Sequence, residues 1–152
     1  MKCANASSLS SAATERSHFL ASNSSIAVSW TAGTDRTQSY ALIVHDPDAP
    51  TGVGFFHWTV FDIPRGTTSL ALDASLHGMP AGAIQAHTDF GSTGYGGPCP
   101  PPGPAHRYIV TVYALDVPSL GADASLTGAT LRFMLRQHSV AIGRATATYA
   151  RP

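Results

Sequence analysis

The sequence has 152 residues, of which 43% are hydrophobic and 12% charged, with nine basic and nine acidic side chains. The length suits one domain, and a charged share about half the usual ~25% excludes a disordered chain. Balanced charge excludes a general basic field for nucleic acid or an anionic membrane, so any bound anion must be held by local geometry.

Residues 1–22 read as a divergent lead, flexible or weakly helical, rich in Ala and Ser. No apolar run follows Lys2, so this is a poor secretory signal, and no stretch is long and apolar enough to span a membrane. Residues 23–152 read as one domain. From Ser25 to Trp30 the residues alternate, with Ile26, Val28 and Trp30 on one face, which predicts a strand. Tyr40 to His45 is a short apolar run that fits a buried strand. It stops at Asp46-Pro47-Asp48-Ala49-Pro50, where two prolines forbid strand or helix. Phe55 to Ile63 predicts another strand, with Phe56, Trp58 and Val60 on one face and His57, Thr59 and Phe61 on the other. Thr67 to Ala83 is polar and irregular. Gly91 to Pro104 holds five glycines and five prolines in fourteen residues and is a loop. Arg107 to Leu115 is the clearest strand. Ser125 to Arg144 has helical spacing, with Leu131, Met134, Leu135, His138, Ala141 and Ile142 recurring every three or four residues and Thr127 as N-cap. Many strands followed by one helix predict a mostly β class with a C-terminal helix.

Two cysteines, Cys3 and Cys99, do not make a disulfide framework. The expectation is two reduced thiols and a cytoplasmic location. The histidines lack zinc spacing, and there is no nucleophile elbow, Walker loop or dinucleotide fingerprint, so no metal and no cofactor is expected.

Three features carry chemistry. The Asp46 to Pro50 corner holds two carboxylates on a chain stiffened by proline, and such stiffness lowers the ordering cost of binding. Asp and Pro are also ordinary turn formers, so the corner means little alone. His57 sits inside an aromatic strand, where a lone histidine is more often a hydrogen-bonded core residue than a ligand. The third feature is the Gly94 to Pro104 loop running into Ala105-His106-Arg107-Tyr108. Its glycines let backbone N–H groups converge on an anion. His106 and Tyr108 lie two apart and share a strand face, while Arg107 faces away as a structural residue.

In order and spacing these segments resemble the phosphatidylethanolamine-binding family, which includes Raf kinase inhibitor proteins and plant flowering regulators. The resemblance runs over Asn23 to Tyr149 and rests on Asp46-Pro47-Asp48-Ala49-Pro50, His57-Trp58, Gly94 to Pro102 and His106-Arg107-Tyr108. Met79 to Ala83, Asp89-Phe90-Gly91, Tyr113 to Asp116 and His138 are similar to its bacterial and archaeal branch. The resemblance implies a large central antiparallel sheet, a smaller flanking sheet, and a pocket for phosphate, acetate or a phospholipid head group. On this chain Asp46, His57, His106 and Tyr108 match the pocket, while Asp48 and the Gly97-Pro98 backbone match its rim and support. It implies an anionic or zwitterionic small-molecule partner and, by analogy with eukaryotic relatives alone, a kinase or protease partner. A cis X-Pro bond within Asp46 to Pro50 is one expectation. Another is that Asp46 favours the imidazolium forms of its histidine neighbours, so anion affinity falls as pH rises. The early strand reads Ser25-Ile26-Ala27-Val28 where the bacterial pattern has Ser-Pro-Pro-Leu. That change predicts a remodelled sheet edge and dimerisation through it. The alternative function is an accessory enzyme in a small-molecule pathway, with Asp46, His57 and His106 as a general acid–base set.

Overall fold

The computed structural model describes residues 24–151. The predicted lead and Cys3 lie outside the described residues. In chain order the elements are β1 (Val28–Ser29), β2 (Ser39–Asp46), β3 (Phe55–Pro64), β4 (Ser69–Leu70), α1 (Ala74–His77), β5 (Ile84–Gln85), β6 (His106–Leu115), α2 (Gly128–His138) and β7 (Ser139–Tyr149).

Five strands form a central antiparallel sheet in the order β5-β3-β2-β6-β7, and β1 pairs with β4 in a separate two-stranded sheet. The mostly β class and the smaller flanking sheet are as expected. Strand β2 lies between β3 and β6 and is buried along its whole length, which is why Tyr40 to His45 reads as a continuous apolar run. Its even residues Tyr40, Leu42 and Val44 pack on one face with Trp58, Val60, Val110 and Val112. Ile26 and Leu70 join that cluster, with Val28 and Trp30 packed against it, so the alternation read in Ile26, Val28 and Trp30 does mark a core-facing side. The odd residues Ala41 and Ile43 pack on the opposite face with Phe56, Phe61, Tyr113 and Leu115, under Leu131 and Leu135 of α2. The sheet is thus one layer between the small sheet and α2.

Two sequence expectations fail here. The helix begins at its predicted cap, since the Thr127 hydroxyl accepts from the Thr130 N–H, but it ends at His138 and not at Arg144. Ser139 to Tyr149 pairs with β6 from Leu115↔Ser139 to His106↔Tyr149. The apolar spacing of Ala141 and Ile142 extended the helical period by coincidence. Val140, Ile142, Thr146 and Thr148 are strand formers, Gly143 is a poor helix former, and a long partner strand was available. The second failure is at Cys99, which is disulfide-bonded, and no described cysteine is free. Disulfides persist in oxidising compartments, so the reduced thiols that supported a cytoplasmic location are overturned.

Candidate functional site: a buried Asp–His cleft at the sheet end

The site forms where β2, β3 and β6 end together. Asp46 closes β2, and its carboxylate turns back on its own corner. Oδ1 accepts from the backbone N–H groups of Asp48 (2.8 Å) and Ala49 (3.1 Å). This local cap closes the corner, and no described peptide bond is cis, so the expected cis proline is absent. Gly54 lets the chain return into β3. It has φ +77°, and a Cβ there would meet the Asp46 carbonyl and the His45 ring.

Oδ2 of Asp46 accepts from Nδ1 of His106 at 2.7 Å, with both side chains buried. Nδ1 therefore carries the proton, and Nε2 of His106 is the ring atom left for a ligand. His57 is held in a parallel way. Its Nδ1–H donates to the Gly96 carbonyl at 2.9 Å, while the Gly96 N–H donates to the His57 carbonyl at 2.9 Å. The glycine loop is thus fastened to β3 through one residue.

His57 reaches the cleft because β3 slips. The register runs Val44↔Trp58 and then His45↔Phe56, so one extra residue of β3 lies in the ladder. Such a bulge re-aims side chains. Strict alternation put Phe56 with Trp58 and His57 opposite, and the structure reverses this. The Phe56 ring meets His45 at 4.5 Å on the α2 side, whereas the His57 ring meets Tyr108 at 5.2 Å on the other.

The cleft holds about 170 Å³. That is below the ~300–1,000 Å³ common for drug-sized ligands and suits a head-group-sized molecule. Asp46, His57, His106 and Tyr108 line it, as do Ala49, Pro50 and Thr51 of the corner, Phe55, Phe90, and the Cys99-Pro100-Pro101 lip. Of the predicted set, four residues converge. Three do not reach the cavity wall. Asp48 is engaged by Arg107, which donates to it through Nε (2.9 Å), a terminal nitrogen (2.6 Å) and its backbone N–H (2.9 Å). Gly97 and Pro98 are buried and do not line the cavity.

Electrostatics divide these groups. Burial pushes the His57 pKa down, against the Gly96 hydrogen bond and the Asp46 charge that raise it. The expected rise at His57 is therefore reversed, and its Nε2 is a bare acceptor at neutral pH. Burial, then the Asp46 charge, pushes the Tyr108 hydroxyl up, so it stays protonated. The Arg107 hydrogen bonds hold Asp48 well below the usual carboxylate range. Asp46 is the one acidic side chain that lines the cavity, and no Lys or Arg lines it.

Sequence reasoning missed two sets of residues. Phe55 and Phe90 wall the cleft, with rings 4.8 Å apart at 72°. Phe90 packs on Gly96 where any Cβ would overlap its ring. The second set holds the loop from behind. Trp58 Nε1 and Ser75 Oγ donate to Gln85 Oε1 (2.8 and 2.7 Å), and the Tyr95 N–H donates to Ser75 Oγ (2.8 Å). Gly96, directly after Tyr95 and a short loop on from Asp89-Phe90-Gly91, was the one available signal for the Phe90 contact.

Comparison with known proteins matches residues 4–150 to the family model described as phosphatidylethanolamine-binding protein. The chain is 43% identical over 116 residues to the UPF0098 protein YbhB of Escherichia coli K12, covering 75% of this chain and 73% of that one. It is 40% identical over 131 residues to the UPF0098 protein YbcL of the same strain, covering 84% of this chain and 72% of that one. The crystal structure of Escherichia coli YbcL, described as a new member of the mammalian PEBP family, superposes with a TM-score of 0.83 at 39% identity. It covers 86% of this chain and 82% of the other.

Proposed function

The chain belongs to the phosphatidylethanolamine-binding protein family, and on that premise we propose that its cleft captures the phosphate of a small molecule or phospholipid head group, with Asp46, His57, His106 and Tyr108 as the binding residues. One observation carries the reading. Two buried imidazoles are each tethered through Nδ1 to an internal acceptor, which leaves both Nε2 atoms for one cavity. A phosphate oxygen needs donors, and a protonated imidazole gives a charge-assisted one. Tyr108 adds a neutral hydroxyl.

The proton account fixes the sign of the pH dependence. His57 is neutral at pH 7 in the free protein, because burial lowers its pKa. Anion capture stabilises its protonated form and so takes up a proton. Affinity rises as pH falls toward and below 6.5, the ordinary histidine value. Asp46 repels a plain anion, which makes inorganic phosphate a weak ligand and a zwitterion a better one. The test is calorimetric titration at pH 5.5 and 8 with sulfate, whose own charge is constant over this range. Tighter binding at pH 5.5 with net proton uptake is expected, and equal affinities would sink the reading.

The Asp46–His106 contact of 2.7 Å favours a second reading, a general acid–base enzyme in which His106 Nε2 takes a substrate proton. Turnover of a small substrate that is lost in His106→Asn while phosphate still binds would select it.

A further inference from the structure

The Phe55 and Phe90 rings and the ring face of Tyr108 have no role in phosphate capture. Phe55, Phe90 and Tyr108 all line the cavity around His57. Phe55 and Phe90 stand at 72° with centroids 4.8 Å apart, and Phe90 and Tyr108 each stand at 73° to His57, at 5.4 and 5.2 Å. Phe55 also meets His57, at 5.1 Å and 54°, so the rings touch edge to face and form one continuous aromatic wall. The electron-rich face of an aromatic ring attracts a cation, most strongly once the cation has shed its water. Among the lining side chains Asp46 is the one carboxylate, and no Lys or Arg is present to compete for it.

The same carboxylate has little left to offer as a hydrogen-bond acceptor. Oδ1 is taken by two backbone N–H groups and Oδ2 by His106, so three of about four acceptor positions are used. A primary ammonium brings three N–H donors and is costly to bury where they go unmet. A quaternary ammonium brings none, and needs only ring faces and a nearby negative charge.

We propose that the Phe55–Phe90 corner, with Tyr108 and Asp46 beyond it, is a cation subsite that takes a methylated quaternary ammonium in preference to a primary one. Resting on the phosphate-capture reading above, this makes the ligand class a phosphocholine-type zwitterion, whether free ester or lipid head group. Phosphate lies on the imidazoles, and the trimethylammonium lies against Phe90. Phe90 is 47% exposed, so it is the wall that meets an arriving ligand. Its seat on Gly96 ties it to the loop that holds His57.

The experiment is calorimetric titration of the full chain with inorganic phosphate, phosphoethanolamine and phosphocholine at pH 6. The quantity read is the ratio of the two zwitterion affinities, so that a general loss of affinity cancels. In the unaltered protein phosphocholine binds about tenfold tighter than phosphoethanolamine, a preference of about 1.4 kcal/mol. Phe90→Leu keeps an apolar wall but removes the ring, and the ratio falls to about one. Phe90→Tyr restores it. A ratio of one or less in the unaltered protein, or a preference that survives Phe90→Leu, overturns the cation subsite. If phosphate binds in either case, the phosphate site stands alone. Binding of none of the three ligands overturns both. Sedimentation with phosphatidylcholine vesicles separates the sources within the predicted class: co-sedimentation that phosphocholine competes away marks a lipid, and binding of phosphocholine alone marks a free ester.

Discussion

His45 and His57 lie on opposite faces of the same sheet and are treated alike by burial. Each is buried and each has its pKa pushed down, chiefly by loss of water. Each also has one ring nitrogen hydrogen-bonded to a backbone carbonyl, Val53 for His45 (3.1 Å) and Gly96 for His57 (2.9 Å). What differs is the cover. Over His45 the Phe56 ring packs at 4.5 Å, Arg132 lies 4.8 Å above that ring, and Gly128 brings the start of α2 down onto it. Over His57 there is a cavity instead. The same residue type in a similar environment is core on one side and a candidate ligand on the other. Which it becomes is decided by the helix that closes one face and the loop that leaves the other open.

The largest expected effect comes from breaking the open side at its charge. Asp46→Ala leaves the buried His106 Nδ1–H and two corner N–H groups without their acceptor. Denaturant unfolding should show a loss of about 3 kcal/mol, and phosphocholine titration a loss of binding. Asp46→Asn keeps an oxygen for the corner N–H groups. It should recover part of the stability but not the affinity, which separates the corner from the site.

Reduction of the Cys99 disulfide acts on the same side through the lip. Native disulfides typically contribute about 2–4 kcal/mol, so a reductant should lower the unfolding midpoint. Because Cys99, Pro100 and Pro101 line the cavity, phosphate affinity should fall as well. Thiol titration of the unfolded, unreduced protein should find Cys99 unreactive. A reactive Cys99 there contradicts the disulfide.

Two glycines sharpen the contrast further, because each seats an aromatic ring. A Cβ at Gly128 would overlap Phe56 on the closed side, and one at Gly96 would overlap Phe90 on the open side. Gly128→Ala should cost about 1–3 kcal/mol, as overpacking does in a core, with phosphate affinity unchanged. Gly96→Ala should cost less stability, since Phe90 is half-exposed and can move aside. Its effect belongs in the affinity for zwitterions. Equal stability losses with no change in affinity would mean that Phe90 is core like Phe56.

Much of this contrast was legible in the residues, and the part that was not has a definite cause. His106 and Tyr108 are two apart on a regular strand, so parity alone put them on one face. The face of His57 could not be read by parity, because the bulge opposite Val44 and His45 shifts it. A bulge answers to the pairing partner and leaves little trace in one strand's own pattern. Asp46 and Asp48 look equivalent within the corner. They part because Arg107, 59 positions on, engages one of them. The end of α2 was misread for a similar reason. Ser139 to Tyr149 carries a helical apolar spacing, but β6 offers it a partner along its length. Interactions within a few residues, such as the Thr127 cap and the Asp46 corner, were open to inspection. Those set by distant partners were not.

The smallest effect is also the most direct comparison of the two histidines. Both have folded-state pKa values below the ordinary ~6.5 of the unfolded chain. Below that value the unfolded chain binds more protons than the folded one, so stability falls as pH falls. The contribution of each neutral ring is complete above 6.5 and is lost progressively on acidification toward its folded pKa. Unfolding midpoints between pH 7.5 and 5 should therefore drop. His45→Gln and His57→Gln should each flatten the drop, since glutamine does not titrate. Sulfate then tells them apart. It can meet a protonated His57 through the open cleft but cannot reach a protonated His45 beneath Phe56 and α2. Added sulfate should restore acid stability in the unaltered protein and in His45→Gln, and fail to do so in His57→Gln. If sulfate rescues all three equally, the anion binds elsewhere, and the difference in cover between the two faces does not decide which histidine serves the ligand.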